Sequence, residues 1–285
     1  MMITGEMKMS FNKLTLCAAV ALLIRCGLQA GAINVLNYDT GSDANVGVTT
    51  GTGPYTGSFT ADFTTTASVN SYFLVTASTR NGGVLLSDLS LSLGGGPAVN
   101  LDQHAFVLRN TNDNSLLSIW GISVSNVTSG QSVLVNATSD DDQNYNVAVL
   151  QLGAANPIAL ADFDGTDYQE DRDLLLDIGS GDFVFSAAAR RSNTQTIVDP
   201  TTVNIGAFDS NLQFFTNTLL PDTGSLNVRR NYWLDPTAGT DVAFGYRSIH
   251  DGSAGVVLTV VPEPSSIALV GLAFLTAVVI RHRKR

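Results

Sequence analysis

Along the middle of the chain, apolar residues come in short runs that alternate with polar ones. Leu85 to Leu93 reads Leu-Leu-Ser-Asp-Leu-Ser-Leu-Ser-Leu and stops at Gly94-Gly95-Gly96-Pro97, so Leu89, Leu91 and Leu93 share one side. A period of two marks a half-buried strand, because successive side chains of a strand point to opposite faces. Tyr72 to Ser78 forms another run, bounded by Asn70 and by Arg80-Asn81-Gly82-Gly83. Further strands are predicted at Ser118 to Val124, Ser132 to Ala137, Asn146 to Leu152, Asp182 to Ala188 and Leu212 to Thr216. Leu226 to Tyr232, Val242 to Tyr246 and Gly255 to Val261 complete the series. Turn clusters of Gly, Asn, Asp and Pro separate these runs, and no 3.6-residue period is sustained. No internal repeat or low-complexity linker stands out. The pattern predicts an all-β fold, built as a single antiparallel β-sandwich.

The two ends break this pattern. Ile267 to Ile280 is uniformly apolar rather than striped, and Arg281-His282-Arg283-Lys284-Arg285 follows it. As a helix it would span roughly 21 Å at about 1.5 Å per residue, short of the roughly 30 Å hydrocarbon core. Arg281, Arg283, Lys284 and Arg285 can snorkel to headgroups, which lengthens the span and holds that end on the cytoplasmic side. A C-terminal transmembrane helix is expected there. Before it, Pro262 and Pro264 in Val261-Pro262-Glu263-Pro264-Ser265-Ser266 keep the backbone extended, a form that a protease active site binds. At the other end, Lys8 and Lys13 precede the apolar run Leu14 to Ile24, and Ala30-Gly31-Ala32 offers a small-x-small cleavage site. That is the layout of a secretory signal peptide, whose route is the Sec machinery and signal peptidase. Arg25 stands where a lipoprotein signal before Cys26 would need a small residue. The expected organisation is a signal peptide over 1–32, an exported sandwich over 33–260 and a sorting segment over 261–285. The last divides into a motif (261–266), a membrane segment (267–280) and a basic tail (281–285).

Composition sharpens the picture once the ends are set aside. Both cysteines, all four methionines and every lysine lie outside residues 33–261. Export permits disulfides, but this body has no cysteine to form one and must be held by its core. It carries eight Arg against twenty-two Asp and one Glu, a net charge of −15. Such a surface repels the phosphates of nucleic acid and of anionic lipid, so no nucleic-acid partner is expected. Asp, Asn, Ser, Thr and Gly in place of Lys, Met and Glu is a turn-and-strand composition rather than a helical one.

The order Pro-Glu-Pro, apolar segment, basic cluster resembles the PEP-CTERM sorting signal of exported bacterial proteins. The resemblance implies that an exosortase recognises and processes the tail, with Pro262, Glu263 and Pro264 as the motif and Arg281, Arg283, Lys284 and Arg285 flanking the membrane. It implies transient anchoring in the inner membrane of a Gram-negative-type bacterium, then residence in the cell envelope, on the outer surface or in the extracellular matrix. Over residues 68–261, the runs Phe73 to Ser78, Ser90 to Gly95, Leu116 to Ser123, Ser129 to Ser139 and Asn146 to Ala154 resemble a β-sandwich module of exported bacterial proteins. That resemblance implies a jelly-roll-like topology and brings no catalytic residues.

Several motifs compete for a chemical role. Leu220-Pro221-Asp222-Thr223-Gly224 matches a sortase pattern, but strands intervene before the apolar tail, so a turn is expected. Asp162, Asp164 and Asp167 head the densest carboxylate run and are the calcium candidates, although Asp167 falls where an EF-hand needs glycine. A solvated loop is the expectation for this run, as for Asp140-Asp141-Asp142. No other metal or cofactor site is expected. His104 and His250 lie in no nucleophile or metal motif, and G-x-S-x-G, H-E-x-x-H and nucleotide loops are missing from the sequence. Trp120 and Trp233 are candidate sugar platforms, with core packing as the competing expectation. Asn126-Val127-Thr128 and Asn136-Ala137-Thr138 fit the glycosylation sequon and are read as β-forming positions. The resulting expectation is a non-enzymatic, structural or adhesive protein of the cell surface or exopolysaccharide matrix. A secreted carbohydrate-binding module is the alternative, and a secreted glycoside hydrolase the third reading.

Overall fold

The computed structural model describes residues 32–39, 44–46, 55–79, 86–107, 116–139, 143–167, 173–191, 200–202, 213–217, 226–234, 236, 238–246 and 252–261. The expected signal peptide, except Ala32, and everything after Val261 lie outside these residues, as do Asp140 to Asp142, Leu220 to Gly224 and His250. Ala32–Val260 form one compact unit. The described residues hold eighteen strands and no helix. The first ten are β1 (Asn34–Asp39), β2 (Ala44–Val46), β3 (Tyr55–Thr64), β4 (Ser68–Thr79), β5 (Leu86–Leu93), β6 (Val99–Asn100), β7 (Asp102–Val107), β8 (Leu116–Val127), β9 (Ser132–Ser139) and β10 (Gln143–Ala154). The remaining eight are β11 (Ile158–Asp167), β12 (Leu174–Ile178), β13 (Phe183–Arg191), β14 (Pro200–Thr202), β15 (Gln213–Asn217), β16 (Leu226–Leu234), β17 (Gly239–Tyr246) and β18 (Gly252–Val260).

These strands form four antiparallel sheets. The first ten make a six-stranded sheet, β1-β10-β4-β8-β7 with β2 also on β10, and a four-stranded sheet, β3-β9-β5-β6. The last eight make a five-stranded sheet, β11-β18-β13-β16-β15, and a three-stranded sheet, β12-β17-β14. Phe73 and Val75 of β4, Trp120 of β8 and Val149 of β10 pack against Phe59, Leu91 and Val135 of the four-stranded sheet. Val184, Trp233 and Val257 likewise meet Leu174, Leu176, Ile178 and Val242 of the three-stranded sheet. Each such side chain contributes about 1.5–3 kcal/mol by leaving water.

The larger sheets also bury their second faces, against one another. Leu74, Ile119 and Leu150 on one side, and Phe185, Val256 and Leu258 on the other, are all fully buried between them. Arg230 of β16 crosses this interface, its Nε donating to Thr76 Oγ1 of β4 at 2.5 Å. The four-, six-, five- and three-stranded sheets therefore stack in that order.

All-β architecture agrees with the sequence, but the single sandwich does not. Counting the eight principal strands of each half in chain order, and leaving aside β2 and β6, both halves have the order 1-8-3-6-5 facing 2-7-4. The repeat lies in connectivity, where sequence periodicity does not register it. Strands sandwiched on both faces also lose the period of two: Phe183 to Ala189 is buried at every position, as is Asn70 to Thr79. A doubly buried strand reads as a continuous apolar run, whichever layers cover it.

Candidate functional site

Of the carboxylate run expected as a loop, Asp162 to Asp167 lie on an edge strand, and residues 168–172 lie outside the described residues. Asp162 and Asp164 stand two apart on β11, so their side chains leave the same face, towards the three-stranded sheet. Asp162 Oδ2 accepts the Asp177 N–H of β12 at 2.7 Å, and Asp164 Oδ2 accepts the Leu175 N–H at 2.8 Å. Asp164 Oδ1 also accepts the Gly165 N–H at 2.8 Å. Asp177 Oδ1 passes the pattern on, accepting the Asp241 N–H of β17 at 2.9 Å where Asp241 has a left-handed φ of 50°. Asp167 pairs through its backbone with Gly252. These oxygens stand in for the carbonyls of a further strand, satisfying N–H groups on the outer edge of β12. Among the described residues no three His, Cys, Asp or Glu side chains gather as a metal site.

The first half repeats the device at the matching strands. Asp39 Oδ2 of β1 accepts the Asp62 N–H of β3 at 2.5 Å. Here too the first strand of the half sends a carboxylate to an edge strand of the covering sheet.

His104 of β7 joins a second polar group at the interface between the larger sheets. Its ring stacks on Tyr72 of β4 with centroids 6.0 Å apart, and its Nε2 is hydrogen-bonded to the Tyr72 hydroxyl. Gly121 of β8 makes room, since a Cβ there would lie 2.5 Å from the Tyr72 ring and 2.7 Å from His104 Nε2. Burial pushes the Tyr72 phenol well above its usual range, and the Asp102 carboxylate adds to that. Burial lowers the His104 pKa, with Asp102 opposing. A protonated phenol and a neutral imidazole result, an arrangement that fixes β4 to β7.

Both tryptophans go to the core. Trp120 is 5 % exposed and Trp233 3 %, each within one of the two sandwich cores, which removes them as sugar platforms. Tyr232, beside Trp233, is also buried, and its ring stacks on Phe183 at 5.6 Å. Its phenol is pushed up to about 12 by burial, with Tyr38 adding in the same direction. Tyr232 and Leu234 form one wall of an open cleft of about 400 Å³, and residues 34–38 of β1 form the other. Sequence reasoning missed this cleft because β1 is short and Asn-rich, without an apolar alternation to announce a strand.

Pro262, Glu263, Pro264, Arg281, Arg283, Lys284 and Arg285 lie outside the described residues. What is described is the strand that leads to them. β18 sits between β11 and β13, its last residue Val260 is buried and paired with Ile158, and Val261 is exposed. One residue thus separates the paired strand from Pro262. Neither the curated proteins nor the solved structures contain a significant match to the chain. Residues 260–284 do match a known family, the PEP-CTERM protein-sorting motif, so the chain carries a PEP-CTERM sorting signal that begins on the last residue of β18.

Proposed function

We propose that this protein is an exported, non-enzymatic scaffold of the bacterial cell surface or exopolysaccharide matrix, delivered there by exosortase processing of its tail. The observation that carries the reading is the sorting motif over residues 260–284. Signal peptidase and the Sec machinery act at the first 32 residues, residues 267–280 hold the protein in the inner membrane, and the basic cluster stays on the cytoplasmic side. The exposed faces of the four-layer body, at a net charge of −15, favour solubility and cation-bridged contact with an anionic matrix. Aspartates bound to backbone N–H groups support a structural use of the acidic run rather than a calcium or catalytic one.

The strand order supports a jelly-roll reading of each half. A 1-8-3-6 sheet facing 2-7-4 follows the jelly-roll winding, with the fifth strand moved from the edge of one sheet to the edge of the other. Fractionation of cells with and without the exosortase tests the proposal. The body is expected at the outer surface or in the matrix when the enzyme is present, and in the inner membrane when it is absent. Equal distribution in both strains would refute processing-dependent delivery.

A further inference from the structure

We propose that the cleft between β1 and β16 binds a short neutral saccharide. A β-bulge aims its exposed wall. Val35 pairs with Leu152 and Asn37 with Gln151, so Leu36 is an extra residue in β1, and Leu36 packs over Gly153. The bulge shifts the alternation by one, which lets Val35 and Tyr38 face the same way, opposite Leu152 and Leu150 and towards Tyr232. Without it, Tyr38 would turn to the other face of the sheet.

Tyr38 is 51 % exposed while its strand is firmly held. Asn37 Nδ2 donates to Gln151 Oε1 and to Thr66 Oγ1, both at 2.9 Å. Gln151, itself buried, also grips Thr66 N–H and C=O. A rigid strand presenting an exposed aromatic ring loses little conformational entropy on binding.

The lining selects the ligand class. Tyr38 supplies an exposed aromatic ring, Val35 and Leu234 supply apolar surface, the backbone of residues 34–37 supplies amide groups, and no Asp, Glu, Lys, Arg or His lines the cleft. Pyranose rings present both hydroxyls and C–H faces, and an aromatic ring stacks on the latter. With the body at −15, an acidic sugar would be repelled. β1 ends its sheet, so its outer edge runs along the cleft, where sugar hydroxyls can meet backbone groups. About 400 Å³ suits one or two sugar rings.

Calorimetry on the full chain, purified in detergent from cells without exosortase, tests this against neutral gluco-, galacto-, manno- and xylo-oligosaccharides and against oligouronates. At least one neutral series should bind with a Kd between about 10 μM and 1 mM. Tyr38→Ala should weaken it about tenfold or more, which is about 1.4 kcal/mol or more, within the range of an aromatic hot spot. Tyr38→Trp should retain binding, and Phe163→Ala, at an exposed aromatic away from the cleft, should not alter it. The proposal is overturned if no neutral series binds at about 10 mM. It is equally overturned if Tyr38→Ala leaves binding intact, or if oligouronates bind more tightly. Saccharide binding is read on purified protein and tail processing by mass, so either can fail alone.

Discussion

The Asp162 carboxylate of β11 accepts the backbone N–H of Asp177 in β12 at 2.7 Å, a side chain closing the edge of a neighbouring sheet. With Asp164 on Leu175 and Asp39 on Asp62, it explains part of the chain's preference for Asp over Glu. The shorter side chain leaves a strand and reaches an adjacent backbone with one fewer rotor to freeze.

Removing such an acceptor strands N–H groups at a sheet edge. Asp164→Ala, which orphans the Leu175 and Gly165 N–H groups, should destabilise the fold by about 1–3 kcal/mol. Urea titration with an unchanged m-value checks this. A loss below about 0.5 kcal/mol would mean that water replaces the carboxylate. Adding EDTA or calcium should leave the wild-type midpoint where it is, because these oxygens are already occupied by backbone donors.

Gly121→Ala should be costly for a steric reason. The new Cβ would meet the buried Tyr72 ring at 2.5 Å, and overpacking of this kind costs about 1–3 kcal/mol. A double variant with Tyr72→Leu should recover part of the loss, as measured by thermal melts of both proteins.

Acidification should act through His104. Its folded pKa lies below the unfolded value near 6.5, so the unfolded chain takes up protons first and stability falls as pH drops below about 6.5. The loss is complete once pH passes below the folded pKa. Comparing melting midpoints of wild type and His104→Gln from pH 8 to pH 5 isolates this contribution; parallel profiles would contradict it. At the alkaline end, Tyr232 has its pKa raised to about 12, so its contribution is full below pH 10 and lost as pH rises from about 10 to 12.

The two halves should unfold together. Their larger sheets bury one another's second faces, and Arg230 of one half reaches Thr76 of the other, so neither half alone keeps the second face of its larger sheet out of water. Calorimetry should give one transition with matching calorimetric and van't Hoff enthalpies. Two resolved transitions would show that the halves are independent.

Much of the first half was legible in the sequence. Leu89 and Leu91 alternate with Ser90 because β5 lies in an outer sheet with one face in water, and the pattern located it to within a residue. β4, β8, β9 and β10 were likewise visible, as were β13, β16, β17 and β18. β11 and β12 were not. Asp162 and Asp164 look like loop residues until a neighbouring strand supplies the N–H groups that they hold. The four-layer stack escaped too, because Leu74 and Phe185 would be apolar against any covering layer. Most of the cleft at Tyr38 depends on a bulge, which leaves no mark in the spacing of apolar residues. The sorting segment was legible because its information is linear: Pro262-Glu263-Pro264, an apolar run and a basic cluster are read in order, without a fold to assemble them.

The central claim is that the tail beyond β18 is a processed sorting signal, and intact-mass measurement of the mature protein tests it most directly. In cells with the exosortase, the protein should lack the apolar segment and the basic cluster ending at Arg285. In cells without it, the mass should extend to Arg285. A C-terminus at Arg285 in both strains would contradict the account and leave a plain membrane anchor.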